Sequence, residues 1–202
     1  MVMILIQLIE KNPNVPIAQV ISHFYPVIDF VEDEDRIYLA NKTICIAKTK
    51  EGNLINLHEW YCSTLLSEYI IQFYPCRRPF LNFNYGVIIK PTFQKFDRTA
   101  ANSSYYTQIL AANYLGKGVV NKLKDNQIGI LNGRLVLTDY SNFVPFIFWN
   151  FPLTCSCGHL ISGSLEPFCF QCGIIDLNTH STLNIIDLLN KDFLQKHYLG
   201  GF

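Results

Sequence analysis

The chain has 202 residues, 50% of them hydrophobic and 16% charged, with 16 basic and 16 acidic side chains and a formal net charge of zero. That apolar content excludes a disordered chain and suffices for a buried core, while the longest apolar runs, such as residues 144–149, are far too short to span a bilayer. A zero balance taken alone argues against a nucleic-acid binder, but the charge is uneven: residues 1–76 carry 5 basic and 9 acidic groups, residues 77–134 carry 9 and 2, and residues 135–202 carry 2 and 5.

The first residues, Met1-Val-Met-Ile-Leu-Ile6, lack the basic start and small-residue cleavage site of a signal peptide, so an intracellular protein is expected, nuclear if eukaryotic. Residues 2–11 read as a helix that the Asn12-Pro13-Asn14-Val15-Pro16 stretch breaks. Residues 17–24 read as a second, with Ile17, Val20, Ile21 and Phe24 on one face. The period then changes to that of strands over 27–31, 36–40 and 43–47, the first two flanking the acidic turn Glu32-Asp33-Glu34-Asp35. Two helices and a hairpin resemble a winged-helix module, although an acidic hairpin repels phosphate and suits docking on protein better than reading a groove. Residues 54–73 have helical spacing, with Leu57, Leu65, Leu66, Tyr69, Ile70 and Phe73 available for burial and Pro75 beyond the end. His58 and Cys62 fall four apart on it, a spacing that can share a metal but more often belongs to a structural histidine. Cys45, Cys62 and Cys76, scattered among apolar neighbours, read as core thiols. These elements form a helical, winged-helix-like module over residues 1–75.

The middle of the chain is a basic block. Its cations Arg77, Arg78, Lys90, Lys95, Arg98, Lys117, Lys122, Lys124 and Arg134 alternate with aromatics such as Phe80, Tyr85, Phe93, Phe96 and Tyr105. Cations that track phosphates beside rings that stack bases are the ingredients of a single-strand groove. The plainer alternative makes the rings core and the cations a solvated face. From residue 85 the chain turns extended, with strands over 86–89, 118–123, 133–138 and 143–149.

Three of these segments carry a family likeness. The strand Gly118-Val-Val-Asn-Lys-Leu123, the run Arg134-Leu-Val-Leu-Thr-Asp139-Tyr140-Ser-Asn142, and Phe143-Val-Pro-Phe-Ile-Phe-Trp149 resemble the first three strands of an OB-fold of the replication protein A type, over about 35 residues from 116 to 150. The resemblance implies an antiparallel β-barrel that binds single-stranded DNA or RNA across its second and third strands. By position it marks Arg134, Tyr140, Phe143, Phe146, Phe148 and Trp149 as groove candidates, about half of which alternation should send to the core.

Near the end stand two cysteine knuckles, Cys155-Ser-Cys157-Gly-His159 and Cys169-Phe-Gln-Cys172-Gly173. Thiolates at this spacing converge on one tetrahedral zinc, and a glycine after each knuckle suits a turn whose N–H groups face the sulfurs. The expected ligands are Cys155, Cys157, Cys169 and Cys172, with His159 as a substitute for Cys155 or Cys157. Four protein ligands leave no place for water, so the zinc is expected to be structural. The replication protein A family also carries a four-cysteine ribbon in an OB-fold. Here the cluster follows the third strand and its first knuckle is one residue shorter. Residues 181–195 read as a C-terminal helix.

The expected fold class is thus α+β: the helical module, then residues 76–202 as an OB-like barrel with a zinc-ribbon hairpin at about 153–175 and the final helix. No phosphate-cradling glycine loop, nucleophile elbow or deaminase motif is present, so no enzyme is expected. Two functions follow: a single-strand nucleic-acid-binding subunit of a larger complex with no membrane association, or a docking subunit that makes only protein contacts.

Overall fold

The computed structural model describes residues 2–40, 42–76, 85–96, 118–120, 127–140, 143–145 and 153–161. The chain divides into two compact units, residues 1–92 and 93–202.

In the first unit, helix α1 (Val2–Lys11) buries Leu5, Ile6 and Ile9, a stripe at helical spacing. Asn12 closes it by donating from its side chain to the Leu8 carbonyl at 2.8 Å, before Pro13. Pro16, whose fixed φ suits a helix entry, leads into α2 (Ile17–Phe24), which buries Ile17, Val20 and Ile21. Strands β1 (Phe30–Glu32), β2 (Arg36–Leu39) and β3 (Ile44–Ala47) follow, then α3 (Lys50–Leu66), β4 (Gln72–Cys76) and β5 (Tyr85–Ile89). The strands form one antiparallel sheet in the order β1-β2-β3-β5-β4. The expected hairpin is therefore no free wing; it is the edge of a five-stranded sheet.

The register divides the sheet's side chains into two faces. Ile37, Ile46 and Val87 stand opposite one another, as do Leu39 and Ile44, and this set packs with the buried residues of α1 and α2 into the apolar core. The opposite face carries Arg36, Cys45 and Ile88, and α3 lies on it. Asn56 of α3 donates to the carbonyls of Cys45 (3.3 Å) and Gly86 (2.9 Å), and the Trp60 ring lies 5.8 Å from that of Phe73.

Helix α3 departs from its sequence expectation at both ends. It starts earlier because Thr49 caps it, accepting from the Gly52 amide at 3.0 Å. It stops earlier because Ser67 takes a left-handed conformation (φ 55°) and its N–H returns to the Ser63 carbonyl. Phe73 and Pro75 consequently lie in strand β4, where the sheet edge tolerates a proline. Of the apolar residues expected to be buried, Leu57, Leu66 and Tyr69 are, whereas Leu65 is 41% and Ile70 82% exposed. Because β5 pairs with β3 and β4, the first unit runs through Thr92 and does not end at residue 75.

The described strands of the second unit are β6 (Gln94–Lys95), β7 (Gly118–Val120), β8 (Ile128–Leu131), β9 (Arg134–Leu137), β10 (Phe143–Pro145), β11 (Leu153–Thr154) and β12 (Leu160–Ile161). They form a three-stranded sheet β6-β8-β9 and the pairs β7-β10 and β11-β12, all antiparallel, and among the described residues none closes into a barrel. Strands β8 and β9 are joined by Asn132-Gly133, both at positive φ (52° and 76°), the conformation of the turn that matches the twist of paired strands. The expected hairpin between residues 134–138 and 143–149 does not form: β9 pairs with β8, and β10 pairs with β7. The Phe143 amide donates to the Tyr140 carbonyl at 2.9 Å, and β9 and β10, which precede and follow the Asp139-Tyr140-Ser-Asn142 stretch, belong to different sheets. The helix expected at 181–195 lies outside the described residues.

The candidate metal hairpin, the basic face and a buried ion triad

Two-residue strands β11 and β12 set Leu153 opposite Ile161 and Thr154 opposite Leu160, which folds the first cysteine knuckle into a hairpin end. Inside it the Cys155 amide donates to the His159 carbonyl at 2.9 Å, and the Gly158 amide donates to the Cys155 carbonyl at 2.8 Å. Gly158 sits at φ 92°, where a side chain would be strained, so the glycine after the knuckle is a requirement of this turn. Cys155 is buried, Cys157 exposed and His159 half-buried. Among the described residues no three metal-ligating side chains converge. Cys169 and Cys172 lie outside the described residues, and a tetrahedral site needs them. Two cysteines on a tight, glycine-bearing turn fit half of such a site.

The expected nucleic-acid contacts divide sharply. Arg77, Arg78, Arg98, Lys117, Lys122 and Lys124 lie outside the described residues, as do Phe146, Phe148 and Trp149. Lys95 and Arg134 are exposed. The register sets Lys95 opposite Gly129 and Gly129 opposite Val136, while Arg134 lies two residues before Val136 on the same strand. Alternation therefore gives Lys95 and Arg134 one face of the β6-β8-β9 sheet, with half-buried Phe93 two residues before Lys95 on that face.

Three of the expected contact residues are corrected by their burial. Tyr140 and Phe143 are both 0% exposed, their rings packed edge-on with centroids 6.2 Å apart, so neither offers a face for a base to stack on. Lys90 is 7% exposed and its ammonium is ion-paired with Glu59. It cannot reach a phosphate without breaking that pair.

The Lys90 partner is part of a triad that sequence reading missed. Glu59, 0% exposed on α3, also accepts from Arg36 Nη1 of β2 at 2.5 Å, so one buried carboxylate is held between two cations from the strands on either side of β3. Its neighbours on the helix explain the oversight. Gly52, Asn56, Glu59 and Ser63 make a stripe at helical spacing that resembles a solvated face, yet all four are buried. The signal available was the small size of Gly52 and Ser63, which lets the helix backbone approach the sheet.

Beside the triad, Cys62 Sγ stands 3.4 Å from His58 Nε2, both side chains buried. Burial, and next the charge of Glu59, push the Cys62 thiol well above its ordinary range. It stays a thiol at neutral pH, the form that neither binds metal nor attacks. The acidic turn is structural too. Asp33 accepts from the amides of Asp35 (2.9 Å) and Arg36 (2.7 Å) and from the Tyr38 hydroxyl (2.6 Å), Asp35 accepts from Thr49 (2.5 Å), and Glu32 pairs with Lys48 at 3.0 Å. Partial burial pushes the Asp33 carboxyl upward, but the hydrogen bonds from Tyr38, Arg36 and Asp35 outweigh it and hold the group below its usual range.

No protein-family model, no curated protein and no solved structure matches the chain. Among the described residues no helix is long and apolar enough to cross a membrane.

Proposed function

We propose that the chain is a non-enzymatic nucleic-acid-associated protein that holds single strands on the Lys95 and Arg134 face of the β6-β8-β9 sheet. It works as a subunit of a larger complex, and its C-terminal part is braced by structural zinc on Cys155, Cys157, Cys169 and Cys172. The observation that carries the reading is the common face of Lys95, Arg134 and Phe93, two exposed cations and a ring on one small sheet. Cations beside a ring on a strand surface suit a phosphate backbone and a stacked base. An OB-like barrel of the replication protein A type is the architecture this reading implies for the second unit.

The test is binding of a labelled single-stranded oligonucleotide over a salt series. Affinity is expected to fall steeply with salt, and Lys95→Glu and Arg134→Glu are each expected to lower the logarithmic slope by about 0.7. Weak binding that ignores salt and both substitutions sinks the reading. For the metal, one zinc per chain is expected by native mass spectrometry, lost in Cys155→Ser and in Cys169→Ser.

A docking subunit without nucleic-acid contact is the second reading. It is favoured by the composition, in which charged residues make up only 16% of the chain, less than a free surface usually carries. Co-purification of a stable protein partner, with no oligonucleotide binding, is its expected result.

A further inference from the structure

The first unit contains a cavity of about 360 Å³ between α1, α2 and the β2–β3 connection. Its walls are aliphatic: Val2 and Leu5 of α1, Ile21 of α2, and Leu39 and Ile44 of the sheet. Four of these belong to the unit's buried core, so the space continues the hydrophobic interior outward. Protein interiors pack with few voids larger than a water molecule, and an apolar space of this size lies in the range of small-molecule sites, about 300–1,000 Å³. Tyr25, Ile28 and Asp29 line its solvent side, Tyr25 and Ile28 half-buried and Asp29 exposed. Asp29 is the only charged residue of the lining, and its carboxylate makes no hydrogen bond or ion pair among the described residues.

We infer that this cavity binds a small amphiphile with an aliphatic body and a cationic head, the body among Leu5, Ile21 and Ile44 and the ammonium at Asp29. The sign of the head follows from the lining. A carboxylate or phosphate head would meet the Asp29 charge with no cation among the described lining residues to offset it, whereas an ammonium meets an opposite charge within reach of water. The aliphatic walls leave the body no polar contact to make, so selectivity among ligands lies in the head and in chain length. This site is independent of the nucleic-acid reading, since every residue it uses lies in the first unit.

The experiment uses the full chain and three eight-carbon probes, n-octylammonium, octan-1-ol and octanoate, each below its self-association limit. Methyl resonances of Leu5, Ile21 and Ile28 report binding by NMR titration. Saturable shifts are expected, with n-octylammonium binding roughly two- to fivefold more tightly than the alcohol and octanoate weakest. Asp29→Asn is expected to bring the amine to the affinity of the alcohol and leave the alcohol unchanged. Ile28→Trp, which fills the cavity from its solvent side, is expected to abolish binding of all three while the variant keeps the parent's melting temperature and the spectrum of its β2 and β3 amides. Octanoate binding as tightly as the amine, no saturable binding of any probe, or an amine affinity unchanged in both variants would overturn the proposal.

Discussion

Lys90 and Lys95 stand five residues apart in the same basic block, and they have opposite fates. Lys90 follows β5 directly, its amide continues the ladder by donating to the Thr43 carbonyl at 2.7 Å, and its ammonium is taken under α3 to Glu59. Lys95 lies past the unit boundary on β6, exposed beside Gly129. The first unit buries one ion triad beneath α3, while the three-stranded sheet of the second turns Lys95 and Arg134 to solvent. What separates the two lysines is a carboxylate 31 residues before Lys90, brought to it by the sheet order. Position in a charge run therefore says little about availability to a ligand.

The contrast can be broken most severely at Glu59. Glu59→Gln leaves two buried cations without their counter-charge, and a loss of about 3–5 kcal/mol in urea unfolding is expected. Protection of β2, β3 and β5 amides against hydrogen exchange should fall by the same amount. The combined change Arg36→Met, Glu59→Leu and Lys90→Met removes all the charges together and is expected to recover most of that loss. A Glu59→Gln protein as stable as the parent would mean that water already reaches the triad.

In the second unit the largest local effect is expected at Gly133. Gly133→Ala puts a Cβ at φ 76° and should cost about 1–2 kcal/mol, read as loss of amide protection in β8 and β9 with β2 and β3 unchanged. Alkaline pH probes the first unit. The folded first unit keeps Cys62 protonated, while the unfolded chain ionises it near 9.0, so the unfolded state binds fewer protons and stability falls as pH rises past 9.0. The slope approaches about 1.4 kcal/mol per pH unit, and Cys62→Ala should flatten it. Burial pushes the Tyr38 phenol up against the opposing charge of Arg36, so a second decline is expected above 10.0. The smallest effect is Lys95→Met, within about 0.5 kcal/mol by thermal unfolding, as for a substitution at an exposed position.

Local signals carried well and long-range ones did not. Helices α1 and α2 were readable because Ile9, Ile17, Val20 and Ile21 recur at helical spacing and prolines punctuate them. The end of α3 was not, since Ser67 enters the left-handed region without a glycine to announce it. Asn132-Gly133 is the hairpin signal that the structure uses, joining β8 to β9, whereas the aspartate-bearing stretch after Thr138 competes with it in the sequence pattern. The knuckle turn at Cys155 was legible from spacing and its glycine. Which cations and rings are buried was not, because Lys90 depends on Glu59 and Phe143 on its packing against Tyr140.

Strand β5 is the last of its sheet to leave the ribosome, yet it is the penultimate strand in space, between β3 and β4. Without β5, strand β3 keeps an unpaired edge, β4 has no partner in the sheet, and Glu59 lacks Lys90. A fragment cut at residue 76 would be trapped in that state, inviting any extended segment to fill the slot, whereas one cut after Thr92 would carry its own keystone.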